Sequence, residues 1–342
     1  MKHFIISLGI TTSLFLAWVI VGSGLFSKGN TFVFSSGDRF DGQVAGISTE
    51  ESYPVVEERR DITSDFRPIK RAGMGQFAVP TAYSAILLDA KTGQPLFEQD
   101  ADERRAVASI TKLLTTMIVV ENVKNLDEPV TIPEVAIYSE GTRVGCPRSG
   151  YCIGERLHLG EQISVRDLLK AALMNSANDA AVSLAVHVSG SQAAFIEKMN
   201  KRSAELGLEN THFCTPSGLE LDDVAAEENC YSSARDVAKI AAFALHYDVL
   251  WNTMRMESTS IYSIDGKYEH TIFNTDRLIG QYPNLVGTKT GFTPRAGYSL
   301  LAVAKDPENG KHNIIAVVLN DPSRWQSIQE MFSWGFSAYQ WL

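Results

Sequence analysis

Lysine and arginine form no block anywhere in the 342 residues, and acidic residues outnumber them 40 to 31, for a formal net charge of −9. Phosphate backbones are bound through a basic footprint, so nucleic acid is excluded as a partner. The seven histidines show no His-Glu-x-x-His or similar spacing, so no metal site is expected and no cofactor is implied. Cysteine is scarce, and its four copies fit neither a zinc knuckle nor a redox Cys-x-x-Cys: Cys146 and Cys152 enclose five residues, Cys214 and Cys230 fifteen. Internal repeats and low-complexity tracts are also missing.

Charge is missing from Phe4 to Phe26 as well, directly after Met1-Lys2-His3 and just before Lys28. The run exceeds the ~7–15-residue apolar region of a signal peptide and is about right for the ~20 residues of a spanning helix. Residues 1–26 are therefore expected to form an uncleaved membrane anchor, basic end cytoplasmic and the remainder exported. Cleavage near Ser23 and Gly24 is the alternative. Export suits the cysteines: in an oxidising compartment two local bridges are the simplest of three possible pairings, with free buried thiols as the other reading.

From 27 to 80 the chain is polar, charged and aperiodic, and it reads as a linker. As a flexible coil of about fifty residues it would span roughly 40 Å. Beyond it, Tyr83–Leu88 and Gln94–Glu98 flank a turn at Asp89–Gly93, a hairpin signal. Gly297–Ala304 and His312–Leu319 form a second one, and Ser323–Leu342 carries apolar residues at helical spacing. The middle is helical: Ser164 precedes Asp167 like a capping box, Ser191–Leu206 ends at Gly207, and Ser233 with Asp236 opens a segment through Leu245. Strands at both ends around helices imply an α/β (α+β) domain over 81–342. Its mainly antiparallel sheet is built from N- and C-terminal segments, with a helical layer and a cleft between them.

Three short motifs follow in order. Ser109-Ile110-Thr111-Lys112 opens a run that is apolar almost throughout to Val120, which implies a helix buried nearly all round. Lysine is rare in such a setting without a task. Three-residue spacing puts Lys112 beside Ser109, and burial with a second cation nearby would lower its pKa enough for it to accept the hydroxyl proton. Ser176-Ala177-Asn178 lies between two helical runs, where either Ser176 or Asn178 could be a mere N-cap, or Ser176 a proton relay and Asn178 a holder of the substrate amide. Lys289-Thr290-Gly291 follows a strand-like stretch and precedes an expected turn at Phe292–Pro294. Beside a cleft, Lys289 and Thr290 would hold a carboxylate, and Gly291 would let a substrate backbone lie against the strand. Each motif alone is commonplace. Together they supply what an acyl-transferring serine enzyme without a catalytic histidine needs.

These motifs, with Pro216-Ser217-Gly218-Leu219, Ser233-Ala234-Arg235-Asp236 and Ala296-Gly297-Tyr298, resemble the D-alanyl-D-alanine carboxypeptidases among the low-molecular-mass penicillin-binding proteins. The likeness runs from about Tyr83 to Leu342. It implies a β-lactamase/DD-peptidase-like fold, peptidoglycan stem peptides as substrate and β-lactam antibiotics as inhibitors. By the same resemblance Ser109 is the acylated nucleophile, Lys112 its base and Ser176 the relay. Asn178, Lys289, Thr290, Gly291 and Phe292 bind substrate, with the N–H groups of Ser109 and Phe292 as oxyanion hole. Arg295 is a weaker carboxylate candidate. The catalytic domain is expected to run to the end of this sequence, and the two cysteine-bearing loops look like local elaborations. Three rivals stand beside this reading: an endopeptidase cutting D-alanyl cross-links, a β-lactamase, and a catalytically silent wall-binding protein. A β-lactamase would need a Glu-x-x-Leu-Asn loop, and the closest match is Glu205-Leu206-Gly207-Leu208-Glu209.

Overall fold

The computed structural model describes residues 67–147, 151–220 and 228–341. The expected anchor over 1–26 and most of the linker lie outside these residues. In chain order the strands are β1 (Pro68–Lys70), β2 (Ser84–Asp89), β3 (Pro95–Gln99), β4 (Pro129–Thr131), β5 (Gln162–Ser164), β6 (Ser258–Tyr262), β7 (Glu269–Phe273), β8 (Leu285–Thr293), β9 (Gly297–Lys305), β10 (Asn313–Leu319) and β11 (Tyr339–Trp341). The helices are α1 (Lys112–Asn122), α2 (Glu134–Ile137), α3 (Val165–Leu173), α4 (Asn178–Ser189), α5 (Gln192–Glu205), α6 (Ala234–Ala244), α7 (Asp248–Met254) and α8 (Arg324–Ala338).

The central sheet has five strands in the order β3-β2-β10-β9-β8, every pairing antiparallel. N-terminal strands thus join C-terminal ones, as expected from the two hairpin signals. Alternation of side chains across the pleat sorts the sheet into two cores. Ile315, Val317 and Leu319 of β10, with Ile86, Leu88, Leu301 and Val303, face the large helical layer containing α1, α3, α4 and α6. Ile314, Ala316 and Val318, with Ala85, Leu87, Leu300 and Ala302, face Ile328, Met331 and Phe332 of α8. Both faces are buried, so these strands read as continuous apolar runs.

Helix starts follow side-chain chemistry. Ser164, Ser191 and Ser233 each accept a hydrogen bond from the backbone N–H three residues on, capping α3, α5 and α6. Two expectations fail at the ends. The final helix stops at Ala338, and Tyr339–Trp341 pairs with Pro68–Lys70 as a small antiparallel sheet. The linker expected over 27–80 is corrected over its last residues for the same reason: β1 is held by β11, and Phe77 stacks on Trp334 at 5.0 Å. Local polarity suggested a coil there, and long-range pairing overrides it.

Both local disulfides form, Cys146–Cys152 and Cys214–Cys230. The chain beyond the first is fixed by the buried His270, whose Nε2 lies 2.7 Å from Glu161 Oε1 and whose Nδ1 lies 3.1 Å from the carbonyl of Glu155.

Candidate active site

Ser109 sits in a single 3₁₀ turn, Ala108–Thr111, that feeds directly into α1. Sequence reasoning put it in the α-helix itself. The tighter turn has three residues per revolution, so positions i and i+3 eclipse. Lys112 Nζ accordingly lies 2.8 Å from Ser109 Oγ. Lys112 is wholly buried, while Ser109 remains partly accessible.

The turn is strained and clamped. Among the described residues four non-glycine positions have positive φ, and two of them, Ala108 (+49°) and Ser176 (+59°), flank this cluster. Such a conformation costs about 1–3 kcal/mol and persists only where the surroundings enforce it. Two glycines supply the clamp. A Cβ on Gly218 would stand 2.0 Å from the Ala108 carbonyl oxygen, and one on Gly291 would stand 2.7 Å from that of Val107. The β8 backbone and the Pro216–Gly218 segment therefore press on the Ser109 turn from two sides.

Three acceptors surround the Lys112 amine: Ser109 Oγ, Asn178 Oδ1 at 2.7 Å and the Ser217 carbonyl at 2.7 Å. Two of them can only accept. A neutral amine would spend its two N–H groups on Asn178 and Ser217, leaving its lone pair for the Ser109 hydroxyl. Burial first, and the neighbouring Lys289 second, hold Lys112 well below its ordinary pKa, with Asp179 opposing them. Asp179 is itself buried, which pushes its carboxyl up to about 7 against donations from the backbone N–H groups of Val144 and Ala180.

Neither Ser176 nor Asn178 acts as a cap. The N-cap of α4 is Ala177, and no side chain caps it. The capping alternative is set aside, because both side chains are committed to lysines. Asn178 Oδ1 accepts from Lys112, while its Nδ2 donates to the Glu140 carbonyl at 2.6 Å and its backbone N–H to that of Thr142 at 2.7 Å. The loop leading into the Cys146–Cys152 bridge thus hangs on the start of α4 and borders the site.

Lys289, Thr290 and Gly291 lie in β8, an edge strand of the central sheet. The expected turn at Phe292–Pro294 begins later, since β8 pairs with β9 as far as Thr293. Lys289 is buried, and its Nζ donates to Ser176 Oγ at 2.9 Å. Burial brings its pKa down to about 7, opposed by Asp276 and reinforced by Arg324. The exposed Phe292 ring stacks on Tyr298, centroids 4.6 Å apart. Arg295 lies in the exposed turn beyond β8, where its backbone N–H donates to Glu220.

Two hydrogen-bonded groups thus make up the site, Ser109–Lys112–Asn178 and Ser176–Lys289, with Thr290, Gly291 and Phe292 along β8. Sequence reasoning missed several contributors. Ser217 and Gly218 appeared only as matched residues without a task; Thr115, whose hydroxyl donates to the Pro216 carbonyl, was passed over as core. Thr275 hydrogen-bonds Thr290 at 2.7 Å, and Arg324 Nη1 donates to the Gly291 carbonyl at 3.0 Å. Neither carries a local signal. Glu205, the nearest match to a β-lactamase glutamate, ends α5 in an ion pair with Arg202.

A family model described as D-alanyl-D-alanine carboxypeptidase matches residues 75–323. The carboxypeptidase DacF of Bacillus subtilis is 35% identical over 267 residues, covering 76% of this chain and 63% of its own length. A D-alanyl-D-alanine endopeptidase of Pseudomonas aeruginosa is 34% identical over 237 residues, covering 68% of this chain and 70% of that protein. Among solved structures, the Streptomyces K15 DD-transpeptidase superposes with a TM-score of 0.67 at 27% identity, covering 77% of this chain and 100% of its own. The D-alanyl-D-alanine carboxypeptidase of Mycobacterium tuberculosis gives the same TM-score, 0.67, at 27% identity over 79% of this chain and 96% of that one. The chain therefore belongs to the D-alanyl-D-alanine carboxypeptidase family.

Proposed function

We propose that this protein is a serine-type D-Ala-D-Ala carboxypeptidase acting on peptidoglycan stem peptides. The observation that carries the reading is the 2.8 Å contact between Ser109 Oγ and a wholly buried Lys112 whose other partners are acceptors only. Lys112 takes the hydroxyl proton as Ser109 Oγ bonds to the carbonyl carbon between the two terminal D-alanines. The N–H groups of Ser109 and Phe292 stabilise the resulting oxyanion. Ser176, bridged to Lys289, relays the proton held on Lys112 to the departing amine, so the C–N bond breaks, D-alanine leaves and Lys112 is neutral again. Water then attacks the ester, Lys112 accepts its proton, and Ser109 recovers its hydroxyl. Lys289 and Thr290 hold the terminal carboxylate, and Asn178 the peptide amide.

The same site acylated by a β-lactam would turn over slowly, since the Glu205 carboxylate is engaged with Arg202. Action on a wall polymer requires an extracytoplasmic site, which the uncharged segment Phe4–Phe26 would provide as a membrane anchor. Endopeptidase cleavage of D-alanyl cross-links is a second reading, favoured by the Pseudomonas relative of that name. The test is mass spectrometry of pentapeptide monomers and cross-linked muropeptides incubated with the protein and with Ser109→Ala. Loss of one alanine from monomers, absent in the variant, is expected. Dimers falling to monomers would instead assign the endopeptidase, and no change in either would overturn both.

A further inference from the structure

Asp276 has no task in the reaction above, yet it is built into the site's carboxylate-binding side. It lies between β7 and β8, in a turn tied to β8 by the hydrogen bond between the hydroxyls of Thr275 and Thr290, the latter being the residue after Lys289. Its Oδ1 accepts the Leu278 N–H at 2.6 Å, which fixes the side chain. Its Oδ2 is buried and has no hydrogen-bond partner. A buried, unpartnered carboxylate oxygen is costly and calls for an explanation. Two cations supply the electrostatic setting. Arg324, half-buried, reaches beneath the sheet edge to the carbonyls of Gly291 and Ser299 at 3.0 and 3.2 Å. Lys289 is buried, and its hydrogen-bond acceptors are neutral: Ser176 Oγ and the Thr290 carbonyl.

We propose that Asp276 is a positioning residue: its carboxylate is the through-space counter-charge that keeps Lys289 an ammonium, and so selects substrates ending in a free carboxylate. The proposal rests on the carboxypeptidase reading for its substrate, not for its electrostatics. Lys289 is within electrostatic reach of Asp276, Arg324 and Lys112, and Arg324 of Asp276 first and then of Tyr298, Arg277 and Asp321, so Asp276 serves both cations. Asp276 is the group on this side that raises the pKa of Lys289, and Arg324 lowers it. Burial pushes the Asp276 carboxyl itself up to about 6. Its charge, and with it the support of Lys289, is therefore present above that pH and absent below it.

The experiment compares Asp276→Asn with the full-length wild type after a melting curve has established that both fold. Heteronuclear NMR of the lysine side chains, with Lys289→Arg to assign the signal, reads the Lys289 titration directly and needs no turnover. A fall in the midpoint by about one pH unit in the variant is expected. An unchanged midpoint overturns the proposal. The second readout is steady-state cleavage of an acyl-D-Ala-D-Ala peptide and of its C-terminal amide. KM for the free carboxylate should rise about tenfold near pH 8 and converge with wild type below pH 6, while the amide is unaffected. Equal losses on both substrates at every pH would make Asp276 merely structural. If the wild type cleaves neither peptide, the carboxypeptidase reading fails while the titration still decides the role of Asp276.

Discussion

Replacing Gly218 by alanine tests whether the nucleophile turn is held by close backbone contact. Gly218 has φ +72°, and a Cβ there would lie 2.0 Å from the Ala108 carbonyl oxygen and 2.6 Å from Thr111 Oγ1. Gly190, the C-cap of α4, has nearly the same φ, +76°, with nothing within 4 Å of its imagined Cβ. Both substitutions incur the left-handed penalty of about 1–2 kcal/mol for an L-residue. Only Gly218→Ala adds overpacking, worth about 1–3 kcal/mol more. Relief of the clash requires a shift of about 1 Å in either the Ala108 turn or the Ser217 carbonyl, and misplacement on that scale costs about 100-fold in rate.

The assay pairs urea unfolding with time-resolved acylation by a fluorescent penicillin. Gly190→Ala should lose about 1–2 kcal/mol and acylate at the wild-type rate. Gly218→Ala should lose roughly 2–5 kcal/mol and acylate about 100-fold more slowly. If Gly218→Ala acylates within a few-fold of wild type, the clamp is not what positions Ser109. Equal destabilisation by the two variants would mean that the Ala108 contact relaxes freely.

Two further perturbations follow from the buried charges and the second bridge. In Lys289→Met a cation is lost whose folded pKa, about 7, is far below its ordinary 10.5, so burial of its charge destabilises the fold most below pH 7 and not at all above about 10.5. The variant should therefore unfold less readily than wild type by a few kcal/mol, roughly, at pH 6, a gap that closes towards pH 10 in urea titrations. Its acylation should be slower, with the acidic limb moved to higher pH because Lys112 no longer feels the second cation. Removing the Cys214–Cys230 bridge, whose sequence separation is 16, by serine substitution should cost about 3 kcal/mol. Acylation should slow too, since Pro216 and Ser217 lie within that loop; an unchanged rate would show that Gly218 packing alone fixes the Ser217 carbonyl.

Most of the fold and of the hydrogen-bonded site was legible because its signals are local. Serine caps, the continuous apolar runs of β9 and β10, and the three-residue Ser109–Lys112 spacing each depend on neighbours in sequence. What escaped depends on distant partners. Nothing between Arg67 and Pro80 announces pairing with β11, because the pairing strand lies some 270 residues away. Arg324 reads as an ordinary helix-start arginine until α8 is packed under the sheet edge. Ser176 and Asn178 each look like good N-caps, and only tertiary geometry shows that Ala177 takes that position.

The two lysines explain how the site dispenses with histidine. Each is buried, and each has one buried or half-buried carboxyl that opposes the loss of its proton: Asp179 for Lys112 and Asp276 for Lys289. The two carboxyls are not equivalent. Asp179 is tied down by the N–H groups of Val144 and Ala180, whereas one oxygen of Asp276 is left without a donor. Burial, with the Lys289 charge, depresses Lys112 well below its ordinary range, and burial opposed by Asp276 leaves Lys289 near 7. Environments that drive two like groups apart assign them opposite roles. Near pH 7 Lys289 keeps enough charge to bind an anion, while burial and that neighbouring cation favour the free-amine form of Lys112. A substrate carboxylate arriving at Lys289 would raise its pKa and, through repulsion between the two ammonium groups, favour the neutral form of Lys112. Binding of the correct anion would then prepare the base that activates Ser109.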